Sequence, residues 1–227
     1  MAMIYNTTMK PGKTELLAAW LPTRPWYAST GHSPELDRSG GFRLDDPQGE
    51  VGIEFMVLTD TSGSRETSYL VPLTYRGAPL DGAGAALVGT SEHGVLGTRW
   101  IYDGAHDPVL VGQLLALIQG RAVAQDQCES SLSDPSVTSW YDGPELPEVP
   151  EVLPRAWLEV TDTARGTDVR LPGAPVLALT RVLRPGAAGP ADATGAVGRL
   201  TAGWTTPDGA AQQGLFAQLR TTGHATA

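Results

Sequence analysis

Cysteine is almost missing from this chain: Cys128 stands alone, so no internal disulfide can form. Lysine is nearly as scarce. Lys10 and Lys13 are the only two, and both precede the first apolar segment. Long hydrophobic runs are absent too; none approaches the ~20 residues that a bilayer-crossing helix needs. The opening stretch, MAMIYNTTMKP, lacks the charged region, apolar core and small-residue cleavage site of a secretory signal. With a single thiol, this predicts a cytoplasmic protein. Positive charge is in deficit overall, the net charge being −9. Such a surface repels phosphate backbones and anionic lipid, which argues against nucleic acid and membrane partners.

What is present suffices for a core. Of 227 residues, 41% are hydrophobic and 18% charged, which places the chain among globular proteins. Thr14 is placed to cap a short helix whose apolar face is Leu16, Leu17, Trp20 and Leu21, with Pro22 as its stop. An aromatic loop, Arg24-Pro25-Trp26-Tyr27, follows, and Gly31 to Gly41 reads as a polar loop. Asp46-Pro47-Gln48-Gly49 is a β-turn sequence. Beyond it, Val51, Ile53, Phe55 and Val57 alternate with Gly52, Glu54, Met56 and Leu58. The second set is partly apolar, so this strand is expected to be covered on both faces. Thr67 to Tyr75 alternates again, with Pro72 pointing to an edge or a bulge. Ala86 to Thr90 and Leu96 to Tyr102 complete an antiparallel meander. Asp107-Pro108 opens a helix, with Asp as N-cap and Pro at the first helical position. Leu110, Leu114, Leu117 and Ile118 share its apolar face, and its expected end is near Gln127.

Composition shifts between Ser130 and Pro154, where five prolines (Pro135, Pro144, Pro147, Pro150 and Pro154) mix with Ser, Asp and Glu; this reads as a linker or extended wrap. Further strands are expected at Trp157 to Val160, Asp168 to Leu171, Val176 to Leu183, Leu200 to Thr205 and Gly214 to Leu219. Thr206-Pro207-Asp208-Gly209 turns the last two into a hairpin. Ala187 to Ala196 reads as a mobile Gly/Ala/Pro loop, and the tail from Thr221 as frayed.

Few residues invite chemistry. Glu92, His93, Asp103 and His106 lie close in sequence, beside Asp107, and could form a polar cluster. Their spacing matches no zinc pattern, and no metal site is expected. Asp107 is better used as the helix cap, and Asp103 as the corner carboxylate of the Tyr102-Asp103 turn. Trp26 and Tyr27 suit either the end of a core or stacking on a sugar ring. Of the remaining tryptophans, Trp20, Trp100, Trp157 and Trp204 are expected to fill the core or cover the sheet. Trp140-Tyr141 in the Pro-rich stretch is the pair expected to stand open as a partner anchor. Cys128 lacks a nearby base and reads as an inert thiol. Gly89 to Gly94 (GTSEHG) fails as a nucleophile elbow because His93 occupies its second glycine position. No dinucleotide fingerprint or P-loop occurs.

Several blocks resemble the N-terminal cap of actinobacterial maltokinases. Leu17 to Ala28 (LAAWLPTRPWYA) resembles the opening helix and its R-x-WY-A/G continuation. Glu54 to Pro79 resembles the strand–turn–strand with a TDG-like tip, here Thr59 to Gly63. Ala86 to Ile118 resembles the segment that runs from strand through YD corner to helix. The resemblance covers Lys13 to Gly120. More weakly, Gly166 to Gly186 is similar to the kinase subdomain after the cap, and the position of the lysine that holds ATP phosphates then falls on Ala178. Such a lysine belongs on a rigid strand beneath the nucleotide, and no lysine follows Lys13. No H-x-D catalytic loop is found, and the residues after Gly120 read as strands, not as a helical kinase lobe.

The expected fold is α+β: a curved antiparallel sheet packed on a few helices, followed by a smaller antiparallel β unit. The expected divisions are a cap-like domain over 1–130, a Pro-rich linker over 131–154, a small β-rich unit over 155–220 and a flexible tail over 221–227. No catalytic residue, cofactor or metal is assigned. The resemblance implies a stand-alone, non-catalytic interaction or regulatory protein whose partner is an enzyme of trehalose, maltose or glycogen metabolism. Trp26, Tyr27, Trp140 and Tyr141 are the residues for partner or ligand contact. A small-ligand or glucan-binding module is the alternative, and an enzyme using His93 and Asp103 is the third reading.

Overall fold

The segment Val51–Leu58 offers apolar side chains to both faces, and the computed structural model shows what receives them. It describes residues 9–127, 132–143, 153–164, 166–186 and 195–221. Cys128, most of the Gly/Ala/Pro loop at 187–196 and the tail beyond 221 lie outside these residues.

The first sheet is curled and antiparallel. Its strands are β1 (Met9–Lys10), β2 (Leu36–Leu44), β3 (Gly52–Asp60), β4 (Thr67–Arg76), β5 (Leu87–His93) and β6 (Gly97–Asp103), in the order β1-β5-β6-β4-β3-β2. It is therefore a meander with one transposition, since β6 inserts between β5 and β4. Helix α1 (Lys13–Trp20) closes one face, where Leu17, Trp20, Leu21 and Trp26 pack on Met56, Leu58, Val71, Leu73 and Ile101. The other face, carrying Phe42, Ile53, Phe55, Val57 and Leu70, meets α2 (Pro108–Ile118) and the second sheet in one continuous core. Both registers of β3 are thus buried, as the sequence implied.

The second sheet comprises β7 (Thr138–Tyr141), β8 (Glu159–Thr163), β9 (Gly166–Arg170), β10 (Val176–Thr180), β11 (Ala196–Thr205) and β12 (Ala211–Arg220), ordered β7-β11-β12-β10-β9-β8 and antiparallel throughout. The fold is α+β as expected. The second unit has as many strands as the first, however, and it recruits β7 from inside the expected linker. Leu153, also in that stretch, is buried in the shared core. The Thr206–Gly209 turn forms as expected, with Gly209 N–H donating to Thr206 carbonyl at 2.8 Å.

Other local expectations shift for identifiable reasons. Gly12, not Thr14, caps α1: its carbonyl accepts from Leu16 N–H at 3.1 Å and its N–H donates to the Glu15 carboxylate at 3.3 Å. Helix α2 ends at Ile118 rather than near Gln127. Gly120 takes φ +72°, and Gly120 and Arg121 donate backwards to Leu117 and Ala116 in a Schellman arrangement. The supposed loop at 31–41 includes two thirds of β2, because Gly40 and Gly41 serve a bulge there. At Gly41, with φ +123°, a Cβ would sit 1.8 Å from the Phe55 carbonyl oxygen; at Gly40 it would meet Trp204 Cα on β11 at 3.4 Å. That close approach lets Phe42 stack on Phe55 at 4.5 Å and meet Phe216 across the sheets at 6.1 Å. Trp157, expected to be covered, is 44% exposed.

Pro72 marks neither an edge nor a bulge. It pairs with Phe55 on β3. On its other side it falls between two different partners of β4: Leu73 begins the ladder with β6, while Tyr69 bridges Val182. The missing N–H costs no ladder bond at that gap. Residues 181–183, which continue β10, thereby leave the second sheet and pair with the first, through Leu70 N–H to Arg181 carbonyl at 2.9 Å and Leu183 N–H to Ser68 carbonyl at 2.8 Å.

Candidate functional site

Where residues 181–183 cross, the largest fully buried side chain among the described residues is Arg181. A buried guanidinium needs a carboxylate and hydrogen-bond acceptors, because leaving it unpaired in a low-dielectric core is prohibitively costly. Asp103, at the end of β6, supplies the carboxylate. Arg181 Nη2 donates to both of its oxygens, at 2.8 and 2.6 Å, and Arg181 Nε donates to Thr167 Oγ1 at 2.7 Å. Thr167 in turn donates to Asp162 at 2.5 Å. The Trp26 ring lies against the guanidinium, 5.0 Å from centroid to Cζ. Asp103 also accepts from Ala105 N–H at 3.1 Å, which fixes the corner into α2.

A second ion pair stands beside the first. Asp107 caps α2 by accepting from Val109 N–H at 3.0 Å, and its two oxygens take Arg76 Nε and Nη2 at 2.6 and 2.7 Å. The expected cap is present, and the residue has a second duty. His106 lies between Asp103 and Asp107 in sequence and is half-buried in the turn Gly104–His106. Burial lowers its imidazole pKa below the ordinary value, with Arg155 and Arg181 adding to the effect against the pull of Asp103.

The expected polar cluster does not assemble. Glu92 and His93 stand at the β5–β6 hairpin tip, where His93 faces Gly97 across the ladder, while Asp103 and His106 lie at the far end of β6. Six residues of strand separate the ends, roughly 20 Å. His93 Nδ1 accepts from Val95 and Leu96 N–H at 3.3 and 3.1 Å, and Glu92 accepts from Thr98 Oγ1 at 2.7 Å. Among the described residues no group of three or more His, Cys, Asp or Glu is placed to hold a metal ion.

Neither does the structure leave Trp26 open. It is 2% exposed, edge-on to Trp20 at 5.8 Å and tilted against Tyr69 at 6.0 Å. Tyr27 donates to Asp60 Oδ2 at 2.7 Å, and burial together with that carboxylate pushes its phenol pKa up to about 12. Trp140 stands out at 45% exposure, with the Arg199 guanidinium 5.3 Å from its ring centroid, whereas Tyr141 is half-buried and packs towards the shared core. Val95 and Leu96, 62% and 41% exposed, project from the hairpin tip.

Residues 20–107 match the maltokinase N-terminal cap domain family. The matched segment is less than half of the chain, and it runs from Trp20 to the Asp107 cap of α2. The cap-like part therefore contains the Trp26 plug, the TDG-like tip, both carboxylates of the paired ion bridges and the hairpin tip. Its counter-cation Arg181 comes from outside the match. Sequence reasoning missed Arg181, Arg76 and Glu54, the last a buried carboxylate on β3 that takes Lys13 Nζ and Tyr75 Oη at 2.5 Å each. One signal for Arg181 was available: an arginine within the mostly apolar run Val176 to Leu183 demands a buried acid nearby. No helix among the described residues is long and apolar enough to cross a membrane.

Proposed function

We propose that this chain is a non-catalytic interaction or regulatory protein of the cytoplasm, built on a maltokinase-type cap, that docks on an enzyme of trehalose, maltose or glycogen metabolism. The observation that carries the reading is Ala178. Protein kinases place the lysine that holds ATP phosphates on the third strand of their sheet and cover the phosphates with a G-x-G-x-x-G loop. Counting from β8, the third strand here is β10. Ala178 lies at its centre, between Asp168 on β9 and Gln218 on β12. The sequence from the end of β8 to the start of β9 reads Thr163-Ala164-Arg165-Gly166, with one glycine, and no lysine follows Lys13.

The exposed Val95–Leu96 tip supplies a docking feature within the matched segment. Two neighbouring exposed apolar side chains, on a turn whose backbone N–H groups bond His93, are the kind of surface that a partner covers. Stacking of a sugar on Trp26 and Tyr27 loses support, because Trp26 is buried. Chemistry shared by His93 and Asp103 loses support from their separation along β6.

Two experiments test the proposal. Equilibrium binding of ATP with magnesium, and phosphoryl transfer from ATP to maltose, are expected to give no signal; saturable ATP binding with turnover would overturn the non-catalytic reading. Capture on immobilised protein is expected to retain a trehalose, maltose or glycogen enzyme, and to lose it in the double variant Val95→Asp/Leu96→Asp. Equal retention by that variant would remove the hairpin tip from the proposal.

A further inference from the structure

Aspartate followed by glycine is a sequence at which a protein backbone readily rearranges. Glycine has no side chain to hinder ring closure between its own nitrogen and the preceding carboxyl, and its backbone turns freely. Four such pairs occur here: Asp81-Gly82, Asp103-Gly104, Asp142-Gly143 and Asp208-Gly209. A fold blocks the closure in two ways. Donors keep the carboxylate ionised and turned away, or a bond or a packed neighbour fixes the glycine.

Three of the four pairs are held. Asp103 is buried with both oxygens on Arg181 Nη2, and a Cβ on Gly104 would collide with Leu110. Asp208 is open to solvent, yet Thr206 Oγ1 and Ala210 N–H donate to its Oδ1 at 2.6 and 3.2 Å. Those bonds, the hydroxyl first, hold its carboxyl below the ordinary range. Gly209 N–H is itself engaged with the Thr206 carbonyl. Asp142 is anchored to β11 through its N–H, which donates to the Val197 carbonyl at 2.8 Å. The Tyr141 side chain crowds Gly143, with its Oη 2.6 Å from where a Cβ would stand.

Asp81-Gly82 has neither restraint. Both residues are exposed at the centre of the turn Leu80–Ala83, where Gly82 takes φ +70°. One backbone bond closes this turn, Ala83 N–H to the Leu80 carbonyl at 3.2 Å. Among the described residues nothing donates to the Asp81 carboxylate and nothing accepts from the Gly82 N–H. No atom lies within 4 Å of where a Gly82 Cβ would stand.

We propose that Asp81-Gly82 is a site of spontaneous covalent modification, at which the folded protein converts aspartate to isoaspartate through a succinimide. The Gly82 nitrogen attacks Asp81 Cγ. The hydroxyl of the protonated carboxyl leaves with the amide proton as water, and the ring closes. Water then re-enters at either ring carbonyl. Opening at the former main-chain carbonyl leaves the chain running through Cγ beside a free α-carboxylate, with the mass unchanged. The product has one more methylene in its backbone, and the turn that receives it is a latch on the end of β6. Leu80 N–H donates to Tyr102 Oη at 3.0 Å, and Ala83 and Ala86 cluster with Tyr102. A longer turn slackens that latch one residue before Asp103. The site is independent of the docking proposed for the hairpin tip.

Trypsin separates the four pairs for the test: residues 77–99 carry Asp81, 100–121 Asp103, 122–155 Asp142 and 200–220 Asp208. The full chain is aged near neutral pH in water enriched in heavy oxygen, then digested in ordinary water. Each ring opening leaves one heavy oxygen in its peptide. Label is expected to enter 77–99 at least fivefold faster than any of the other three, with isoaspartate at position 81 identified by electron-transfer fragmentation. In guanidinium, where the fold is lost, the four peptides are expected to take label at similar rates. Asp81→Glu, which would need a larger ring, is expected to end labelling of 77–99 with the melting temperature unchanged. Thr206→Val releases the Asp208 carboxylate and is expected to speed labelling of 200–220 several-fold, with 77–99 unaffected. Amide exchange at Leu80 is expected to quicken in step with conversion of the unsubstituted chain, and to stay constant in aged Asp81→Glu. Equal labelling of the four peptides in the folded protein overturns the proposal. So does an unlabelled 77–99, or label there that persists in Asp81→Glu.

Discussion

Arg181 and Asp103 are joined through a single nitrogen, Nη2, which reaches both carboxylate oxygens at 2.8 and 2.6 Å while neither side chain is accessible to solvent. The carboxylate belongs to the cap-like part and the guanidinium to the second sheet. Removing one partner strands a buried charge, which costs roughly 3–5 kcal/mol. Arg181→Ala and Asp103→Ala are each expected to lose about that much in urea unfolding. Arg181→Lys is expected to rescue little, since an ammonium on a flexible stem cannot serve Asp103 and Thr167 together. The apolar pair Arg181→Met/Asp103→Leu is expected to recover most of the loss; no recovery would show that the pair does more than neutralise itself.

Asp107 separates two contributions. Asp107→Asn retains a side-chain oxygen for the Val109 N–H but gives up the charge that holds Arg76. Asp107→Ala gives up both. The alanine variant is expected to be the less stable by about 1 kcal/mol, the ordinary worth of an N-cap. Guanidinium unfolding of the two variants in parallel measures the difference.

His93 ties the hairpin tip to pH. Slight burial, with Arg99 and Lys13 nearby, lowers its pKa below the ordinary imidazole value. The folded tip thus binds the proton less readily than the unfolded chain does. Its contribution is complete above the unfolded value of about 6.5 and declines as pH falls through the lower folded value. Protonation also removes the Nδ1 acceptor that holds Val95 and Leu96. Amide exchange of those two residues is expected to quicken relative to the core as pH drops below 6.5, after correction for the intrinsic rate. His93→Gln should flatten that dependence; an unchanged profile would detach the tip from His93.

Glu54 acts in acid. Burial alone would raise its pKa, but Lys13, Tyr75 and Arg38 outweigh it and hold the carboxyl below the ordinary range. A depressed carboxylate contributes stability above its unfolded value, about 4.3, and loses it as pH falls through the folded one. Lys13→Met should therefore destabilise the protein at neutral pH and move its acid-unfolding midpoint upward, as followed by circular dichroism.

The elements most legible in the sequence were those whose signals are local. Asp107-Pro108 announced α2, and the two-sided apolar pattern of Val51–Leu58 announced a strand between layers. Thr206–Gly209 announced its hairpin. The failures share a physical cause: their meaning depends on what packs against them from far along the chain. Gly40 and Gly41 look like loop residues until Phe55 and Trp204 occupy the space that a Cβ would need. Thr138–Tyr141 looks like linker until β11 offers a ladder. Glu92, His93, Asp103 and His106 are neighbours in sequence, yet a strand runs between the two pairs, whereas the partner that Asp103 does take lies 78 positions away.

The crossing of residues 181–183 from one sheet to the other bears on how this architecture can be taken apart. A cap severed after α2 would keep Asp103 in its core but lose the arginine that neutralises it, and the upper half of β4 would lose a neighbour. Transplanting the cap onto a foreign domain would thus require more than a permissive linker: the recipient must offer a strand that continues into an arginine opposite Leu70. The unit that can be exchanged is the cap together with that strand, so the seam suited to recombination lies elsewhere than the change in composition near residue 130.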